Sequence, residues 1–365
     1  MRILHVTDHY PPVTGGIESH VATLAARQEA AGHAVRVLTS TPARAQGRRC
    51  DDTGPVEVLR ARSLVDGWRA RTSDVDVLHA HVSVVAPFTA PVAAALARRG
   101  TPTVVTVHSL WDGLGPLPTW AVAVTGLRSA PVTWTAVSRV AARQVARRLP
   151  GSTPVGLLPN AVDVSPRART RPVDQPVRIV STMRLAGRKR PLELIGLFDR
   201  LRASATVPVE LDLIGDGPLG PRLADQVRRR HLGAVVTLRG VVDNRRVRRI
   251  LAESDVYVAP AVLDSFGLAA LEARSVGLPV VGLSTTGLTE FVRDGVEGLL
   301  ADDDQGLLDG LSRLVHDPAL RIGISEHNRC TPSTHTWPRA LILHDQTYAT
   351  ALAARPSWGW AVVAP

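Results

Sequence analysis

Short runs of β-branched and aliphatic residues alternate with helical patterns along almost the whole chain, and the alternation runs through two rounds. Strands that alternate with helices are joined by crossovers, and crossovers give parallel sheets covered by helices. The first round places strand-like runs at Arg2–Thr7, Val35–Thr39, Val56–Arg60, Val75–Ala80, Thr103–Val107, Trp134–Val137 and Val155–Leu158. Between the first two, Ile17, Val21, Leu24 and Gln28 share one face of a helical pattern. Residues 165–176, Ser-Pro-Arg-Ala-Arg-Thr-Arg-Pro-Val-Asp-Gln-Pro, break the pattern and read as a linker. The second round follows with strands at Val177–Thr182, Glu210–Ile214, Val235–Leu238, Val256–Ala259 and Pro279–Gly282. The expectation is two doubly wound α/β domains, 1–165 and 177–335, and a last helical segment within 336–356. The tail beyond Pro356 is expected to be loosely held.

A length of 365 residues suits two or three domains, and 45% hydrophobic content is ordinary globular usage. No apolar run reaches the length of a spanning helix. The N-terminus enters a strand at once, without a basic-then-apolar leader. Cys50 and Cys330 show no metal-type spacing, so a reducing cytoplasm is expected. The net charge of +10 is uneven: residues 1–170 carry 19 arginines against 11 acids, and the rest is nearly balanced. A basic surface attracts nucleic acid, anionic membranes or acidic substrates, and equally fits a merely solvated arginine-rich face. With only 4% aromatics the chain lacks the stacking platforms of single-strand nucleic-acid binders. Arg60, Arg62, Arg69 and Arg71 surround Trp68, a pattern compatible with an anionic membrane surface or with a solvated loop.

Ligands of open parallel sheets bind beyond the carboxyl ends of the strands, and the candidate motifs fall there. Asp264 and Glu272 follow a strand eight residues apart, about 12 Å along a helix, too far for a side-by-side acid/base pair. They suit the two ends of one extended polyhydroxylated ligand, or else an N-cap and an exposed helix residue. Between them Phe266, Gly267 and Leu268 would offer backbone N–H groups to a phosphate. Gly15 and Gly16 open a helix after the first strand and let a backbone approach a ligand. His108 ends a strand, where an imidazole meets a sugar hydroxyl or is simply a satisfied histidine. Arg184 and Lys189 follow a strand five residues apart and could neutralise a diphosphate, or belong to a basic loop with Arg188 and Arg190. Gly215-Asp-Gly-Pro-Leu-Gly220 spells a dinucleotide fingerprint, but the next strand ends in Arg239-Gly240 instead of the acid that would hold a ribose. His79 and His81 read as structural, and Asp74-Val-Asp76 precedes a strand, so no metal site is expected.

These motifs resemble the retaining, GT-B-fold glycosyltransferases of glycosyltransferase family 4, from Tyr10 to about Tyr348. The family's Pro-Pro-x-x-Gly-Gly-x-x-x-His is matched by Pro11, Pro12, Gly15, Gly16 and His20. Its Glu-x7-Glu falls on Asp264 and Glu272, with the first acid one methylene shorter. Its Arg-x4-Lys falls on Arg184 and Lys189, with Met183 where the family has glycine. Its Gly-Asp-Gly-Pro falls on 215–218.

The resemblance implies two Rossmann-like domains facing across a cleft, with a C-terminal helix crossing back to the N-terminal domain. It implies a nucleotide sugar (UDP- or GDP-linked) on the C-terminal domain, a hydroxyl acceptor on the N-terminal domain, and no cofactor or metal. His108 would stand beside the transferred sugar, with the Gly15–Gly16 turn near the donor phosphates and the acceptor. Asp264 would hold sugar hydroxyls, Glu272 the ribose, Arg184 and Lys189 the diphosphate, and the Arg239 loop would lie near the base. A nucleotide-sugar epimerase and a non-catalytic nucleic-acid binder are the alternative readings. The protein is expected in the cytoplasm, with possible peripheral contact at an anionic membrane.

Overall fold

The computed structural model describes residues 1–13, 15–45, 48–49, 54–64, 66, 74–112, 115–163 and 175–354, the side chains of 48 and 49 aside. Thr14, Cys50, Trp68, Arg69, Arg71, most of the linker and the tail beyond Pro356 lie outside the described residues. The chain divides into two compact units, Met1–Pro159 with the segment from Pro338, and Asn160–Trp337.

The N-terminal unit runs β1 (Arg2–Thr7), α1 (Gly16–Ala30), β2 (Ala34–Thr39), a small antiparallel pair β3 (Arg44–Ala45) and β4 (Arg48–Arg49), then β5 (Glu57–Arg60) and β6 (Val77–Val82). It continues with α2 (Thr89–Arg98), β7 (Thr103–Val107), α3 (Leu117–Val124), β8 (Thr133–Ala136), α4 (Arg139–Ala146) and β9 (Val155–Leu157). Seven strands form a parallel sheet in the order β5-β2-β1-β6-β7-β8-β9.

The C-terminal unit runs β10 (Val177–Thr182), α5 (Pro191–Ser204), β11 (Val209–Ile214), α6 (Gly220–Arg229), β12 (Val236–Gly240) and α7 (Asn244–Ala252). It continues with β13 (Val256–Ala259), α8 (Leu268–Ser275), β14 (Val280–Leu283), β15 (Gly298–Ala301), α9 (Asp304–His316) and α10 (Pro318–Cys330). Its sheet is parallel throughout, in the order β12-β11-β10-β13-β14-β15. Both sheets are Rossmann-like. Each reverses its strand order once, between β1 and β6 and between β10 and β13, and such a reversal opens a crevice at the strands' carboxyl ends.

The last helix, α11 (Trp337–Ala353), belongs mostly to the N-terminal unit. Its Tyr348 is fully buried among Ile3, Val21, Ala25 and Val37. No helix among the described residues is long and apolar enough to cross a membrane.

Side chains alternate across a strand, so each sheet face can be read off its residues. One face of the N-terminal sheet is apolar, with Leu4, Val6, Leu78, Ala80, Val82, Val105, Val107 and Trp134 in one core. The other face carries His5, Thr7, His79, His81, Thr106 and Thr135, all buried. Parallel strands covered on both faces usually read as apolar throughout, and this face departs from that rule.

Three strands were not expected from sequence. β15 is the edge strand Gly-Leu-Leu-Ala, which offers no β-branched residue to signal it. The β3–β4 pair is only two residues a side. Arg60, read from sequence as part of a solvated loop or an anionic-membrane surface, donates from its guanidinium to the carbonyls of Thr41 (2.7 Å) and Pro11 (3.0 Å).

The glycine-rich turn after β11 has a structural task. Gly215 and Gly217 lie at φ 134° and 159°, a region that side-chain-bearing residues avoid. A Cβ at Gly215 would collide with the Met183 carbonyl, and one at Gly217 with the Leu185 carbonyl. The turn is thereby pressed on the strand-end segment that carries Arg184. Met183 N–H donates to Ile214 O, Leu185 N–H to Asp216 O, and Leu219 N–H to Leu185 O, each at 2.9 Å.

Gly217→Ala should therefore destabilise the fold by about 2–4 kcal/mol, combining backbone strain with backbone collision. Gly233→Ala, at a turn with nothing within 4 Å of the added carbon, should change stability little. Denaturant unfolding of both variants checks the contrast; equal stabilities would remove the structural task assigned to Gly217.

Candidate active site

In the C-terminal unit the candidate residues converge at the reversal between β10 and β13. Arg184 is exposed two residues past β10; its carbonyl accepts from Ala186 N–H at 2.8 Å, and its guanidinium has no hydrogen bond or ion pair with any described residue. Lys189 ends a short 3-10 turn, Gly187–Lys189. Its Nζ lies 2.7 Å from Asp264 Oδ2, beyond the end of β13. The neighbouring Arg190 serves structure: it forms two hydrogen bonds to Asp304 (2.7 and 2.6 Å) and one to the Pro260 carbonyl (3.2 Å).

Asp264 governs the turn into α8. Its Oδ1 accepts from Gly267 N–H at 2.9 Å and from Phe266 N–H at 3.4 Å. The expectation that Phe266 and Gly267 offer free N–H groups is therefore corrected, because a short aspartate arm folds back on its own turn. Leu268 N–H, at the first position of α8, has no partner among the described residues. Gly267 takes the left-handed conformation at φ 84°. Phe266 is buried against the rings of Phe291 and His335, 5.6 and 5.5 Å away between centroids. Gly287 is required for a close approach: it donates to Asp264 O at 2.9 Å, and a Cβ there would strike the backbone of Ser265 and Phe266.

Glu272 is half-buried on α8, and no described residue donates a hydrogen bond to its carboxylate. Loss of solvent pushes its pKa up to about 7, and the opposite charge of Arg248 on α7 limits the rise. Sequence reasoning passed over Arg248; its only signal was a place in the Asn-Arg-Arg-Val-Arg-Arg run that opens α7. Arg274, two residues on, reaches Glu297 at 3.5 Å, and both side chains are buried. Burial raises the Glu297 pKa, but hydrogen bonds from Arg293 together with the Arg274 charge bring it down to about 2. This pair anchors the far side of α8. Arg239, in the loop expected near a base, holds Asp212 through two side-chain hydrogen bonds of 2.7 and 3.1 Å and ties β12 to β11.

In the N-terminal unit Gly15 is extended (φ 173°, ψ 175°) and caps α1, which begins at Gly16. The pressure for glycine at 15 is steric: a Cβ there would collide with the buried Glu18 carboxylate, which folds back over the helix start. Gly16 has open space around it. His108 follows β7 and is buried, with its Nε2 3.0 Å from His81 Nδ1 and its ring centroid 5.9 Å from that of His20. Burial pushes the His108 pKa down to about 3 and the His5 pKa down to about 4.

His5, His79 and His81 bring ligand-type atoms within 4.8 Å of one another, a spacing open to a metal ion. All six of their ring nitrogens already lie 2.7–3.0 Å from protein partners: Gln28, Tyr348, Thr106, His108, and each other for His5 and His81. An ion would have to displace those bonds.

Two family models match the chain in tandem, "Glycosyltransferase Family 4" over residues 14–166 and "Glycosyl transferases group 1" over residues 166–331. A glycogen synthase of Mycobacterium tuberculosis is 28% identical over 87% of this chain and 87% of its own. A GDP-mannose-dependent alpha-(1-6)-phosphatidylinositol dimannoside mannosyltransferase of the same organism is 29% identical over 80% and 82%. Among solved structures, Anabaena Alr3699/HepE in complex with UDP-glucose superposes with a TM-score of 0.75 over 97% of this chain and 100% of that one, at 18% identity, a likeness of fold.

The Glu272 carboxyl yields a stability prediction. Its folded pKa, about 7, lies above the ordinary 4.5, so the folded state binds the proton more tightly than the unfolded state. Stability contributed by this group is fully present below pH 4.5 and is lost as pH rises to about 7. Glu272→Gln removes the buried charge. The variant should gain on wild type through that window and stay ahead above it, by at most about 3 kcal/mol. Unfolding curves of both proteins from pH 5 to 8 test this; a pH-independent difference would assign the shift to another group.

Proposed function

This chain belongs to the group 1/family 4 glycosyltransferases, and from that membership we propose that it moves a sugar from a nucleoside-diphosphate sugar to a hydroxyl acceptor, with retention and without a metal ion. The observation that carries the reading is the convergence of Arg184, Lys189, Asp264 and Glu272 at the strand-order reversal of the C-terminal sheet. Arg184 has a guanidinium not engaged by any described residue, and the Glu272 carboxylate, though it feels the Arg248 charge, accepts no hydrogen bond from one. Cation and anion then suit the two halves of a nucleoside diphosphate: charged phosphates, and a ribose whose hydroxyls donate to a carboxylate.

As the sugar C1–O bond breaks, its electron pair moves to the β-phosphate oxygen. Arg184, Lys189 and the Leu268 N–H at the start of α8 stabilise that charge as it develops. The acceptor oxygen forms the new bond to C1 on the same face, and its proton passes to the departing phosphate. Lys189 is held by Asp264 in this structure, so phosphate binding exchanges one carboxylate partner for another anion and frees an Asp264 oxygen for sugar hydroxyls. His108, at the end of β7, is the N-terminal unit's candidate for hydrogen-bonding a sugar hydroxyl. Relatives that act with GDP-mannose, and a structural neighbour with UDP-glucose, support a nucleotide-sugar donor without choosing its base.

Arg184→Ala and Lys189→Ala should each weaken binding of UDP or GDP, whichever the wild type takes, by about 1.5–3 kcal/mol. Glu272→Ala should weaken free nucleotide and nucleotide sugar alike, whereas Asp264→Ala should act mainly on transfer. Calorimetric titration and a transfer assay in excess chelator decide. Unchanged nucleotide affinity in both cation variants, or activity lost on chelation and restored by Mg²⁺, would overturn the site as drawn.

A separate observation favours peripheral contact with an anionic membrane and a lipid-linked acceptor. Helix α3, Leu-Pro-Thr-Trp-Ala-Val-Ala-Val, carries no charge, and Leu117, Trp120 and Val124 on its surface are 44%, 63% and 64% exposed. Arg98 holds the Gly126 carbonyl just past its end, which places one basic residue beside the apolar strip. Trp120→Ser should lower co-sedimentation with phosphatidylglycerol vesicles at least several-fold and leave nucleotide affinity unchanged. Wild-type protein that ignores such vesicles at low salt points to a soluble acceptor.

A further inference from the structure

His108 stands at one end of a continuous run of hydrogen bonds through the polar interior of the N-terminal unit. His108 Nε2 meets His81 Nδ1 (3.0 Å), and His81 Nε2 meets His5 Nδ1 (2.9 Å). His5 Nε2 meets Gln28 Oε1 (2.7 Å), and the Gln28 amide donates to the Tyr348 hydroxyl (3.0 Å). Tyr348 in turn meets His79 Nδ1 (2.9 Å), whose Nε2 meets the Thr106 hydroxyl (2.7 Å). Thr106 meets the Thr135 hydroxyl (2.7 Å), and Thr135 donates to the Val105 carbonyl (3.1 Å).

A neutral imidazole has one donor nitrogen and one acceptor nitrogen, and a hydroxyl has one proton. The direction of each bond therefore fixes the next. The Val105 carbonyl only accepts, so the single Thr135 proton goes to it. The Thr106 proton must then go to Thr135, His79 must donate from Nε2, and Tyr348 must donate to His79 Nδ1. The Gln28 amide donates to Tyr348, so its carbonyl accepts from His5 Nε2–H. His5 Nδ1 accepts from His81 Nε2–H, and His81 Nδ1 from His108 Nε2–H. Run in reverse, the chain leaves one oxygen–oxygen contact with no proton between its atoms.

We propose that Gln28, Tyr348 and Thr135 are positioning residues that hold His108, eight hydrogen bonds from the Val105 carbonyl, as the Nε2–H tautomer, so that its Nδ1 accepts a hydrogen bond from a ligand hydroxyl. The ligand half of this statement rests on the glycosyltransferase reading of the site; the tautomer half does not. The surroundings keep the chain neutral, because a second proton on His5, His79 or His81 would turn an accepting nitrogen into a donor facing another donor. Burial, which disfavours charge, acts in the same direction on all three. His344 supplies a contrast within the same interior: its Nδ1 lies 2.7 Å from the Ala340 carbonyl and must carry the proton.

Long-range proton–nitrogen correlation on protein labelled with ¹⁵N-histidine reads this directly. His5, His79, His81 and His108 should all show pyrrole-type Nε2 and pyridine-type Nδ1, and His344 the opposite. Nδ1–H forms at those four positions overturn the proposal without any variant or ligand. Thr135→Val removes the link to the carbonyl and should give His108 a mixed tautomer, which Thr135→Ser restores; an unchanged His108 spectrum in Thr135→Val also overturns it. With UDP-glucose and GDP-mannose as probes, Thr135→Val should bind whichever nucleotide sugar the wild type accepts roughly three- to tenfold more weakly, the scale of one neutral hydrogen bond. Its affinity for the parent UDP or GDP should not change. If wild type binds neither nucleotide sugar, the donor-site reading fails and the spectrum still decides the chain.

Discussion

Backbone pressed on backbone, at positions where any side chain would intrude, shapes the carboxyl edge of the C-terminal sheet. Gly215 and Gly217 bring the turn after β11 onto Met183–Leu185, and Gly287 brings the turn after β14 onto Ser265–Phe266. Through these contacts Arg184 stands on a braced segment, and the Asp264 turn is closed from behind. Close-packed surfaces of this kind have no soft degree of freedom, so a small displacement of one turn must be shared by its neighbour. The charged groups themselves contribute little rigidity: Lys189 and Asp264 are partly exposed, and the Arg184 guanidinium is bound to no described residue.

The N-terminal unit reaches order by a different route. One face of its sheet is conventional aliphatic packing, and the other buries histidine, threonine and glutamine. Burying so many polar groups is tolerable only if each finds a partner. The side chains of His5, Gln28, His79, His81 and Tyr348 do so, and this requires α1 and α11 to present Gln28 and Tyr348 at fixed heights above the strands. The C-terminal helix is thus bonded into the interior of the sheet at His79, 269 residues before Tyr348 in the chain.

The doubly wound architecture was legible because parallel strands here are short aliphatic runs with clear breaks, and most boundaries agree to within one or two residues. β15 escaped because its sequence is helix-compatible, and its identity comes from pairing with β14 alone. At the candidate site, the spacing of Arg184 with Lys189 and of Asp264 with Glu272 pointed to the ends of β10 and β13, where the structure places these residues. What the spacing could not tell was how the groups partner one another. The short arm of Asp264 turns inward to two N–H groups and Lys189, and Arg239 prefers a cross-strand carboxylate to solvent. The histidine chain was half visible, as His79 and His81 in alternation on one strand. Gln28 and Tyr348 sat in helical patterns as ordinary face residues, since sequence carries no record of which distant helix covers which strand.

Among 43 basic side chains there is one lysine, and it is the one bonded to Asp264. The molecule's amine chemistry is therefore concentrated almost wholly at a single address, the N-terminus being the only other. Acylating and cross-linking reagents that decorate most proteins at random will, on this one, report a single ion pair once the N-terminal amine is set aside. Their rate of attack becomes a gauge of whether Asp264 still holds the amine or has yielded it to another anion.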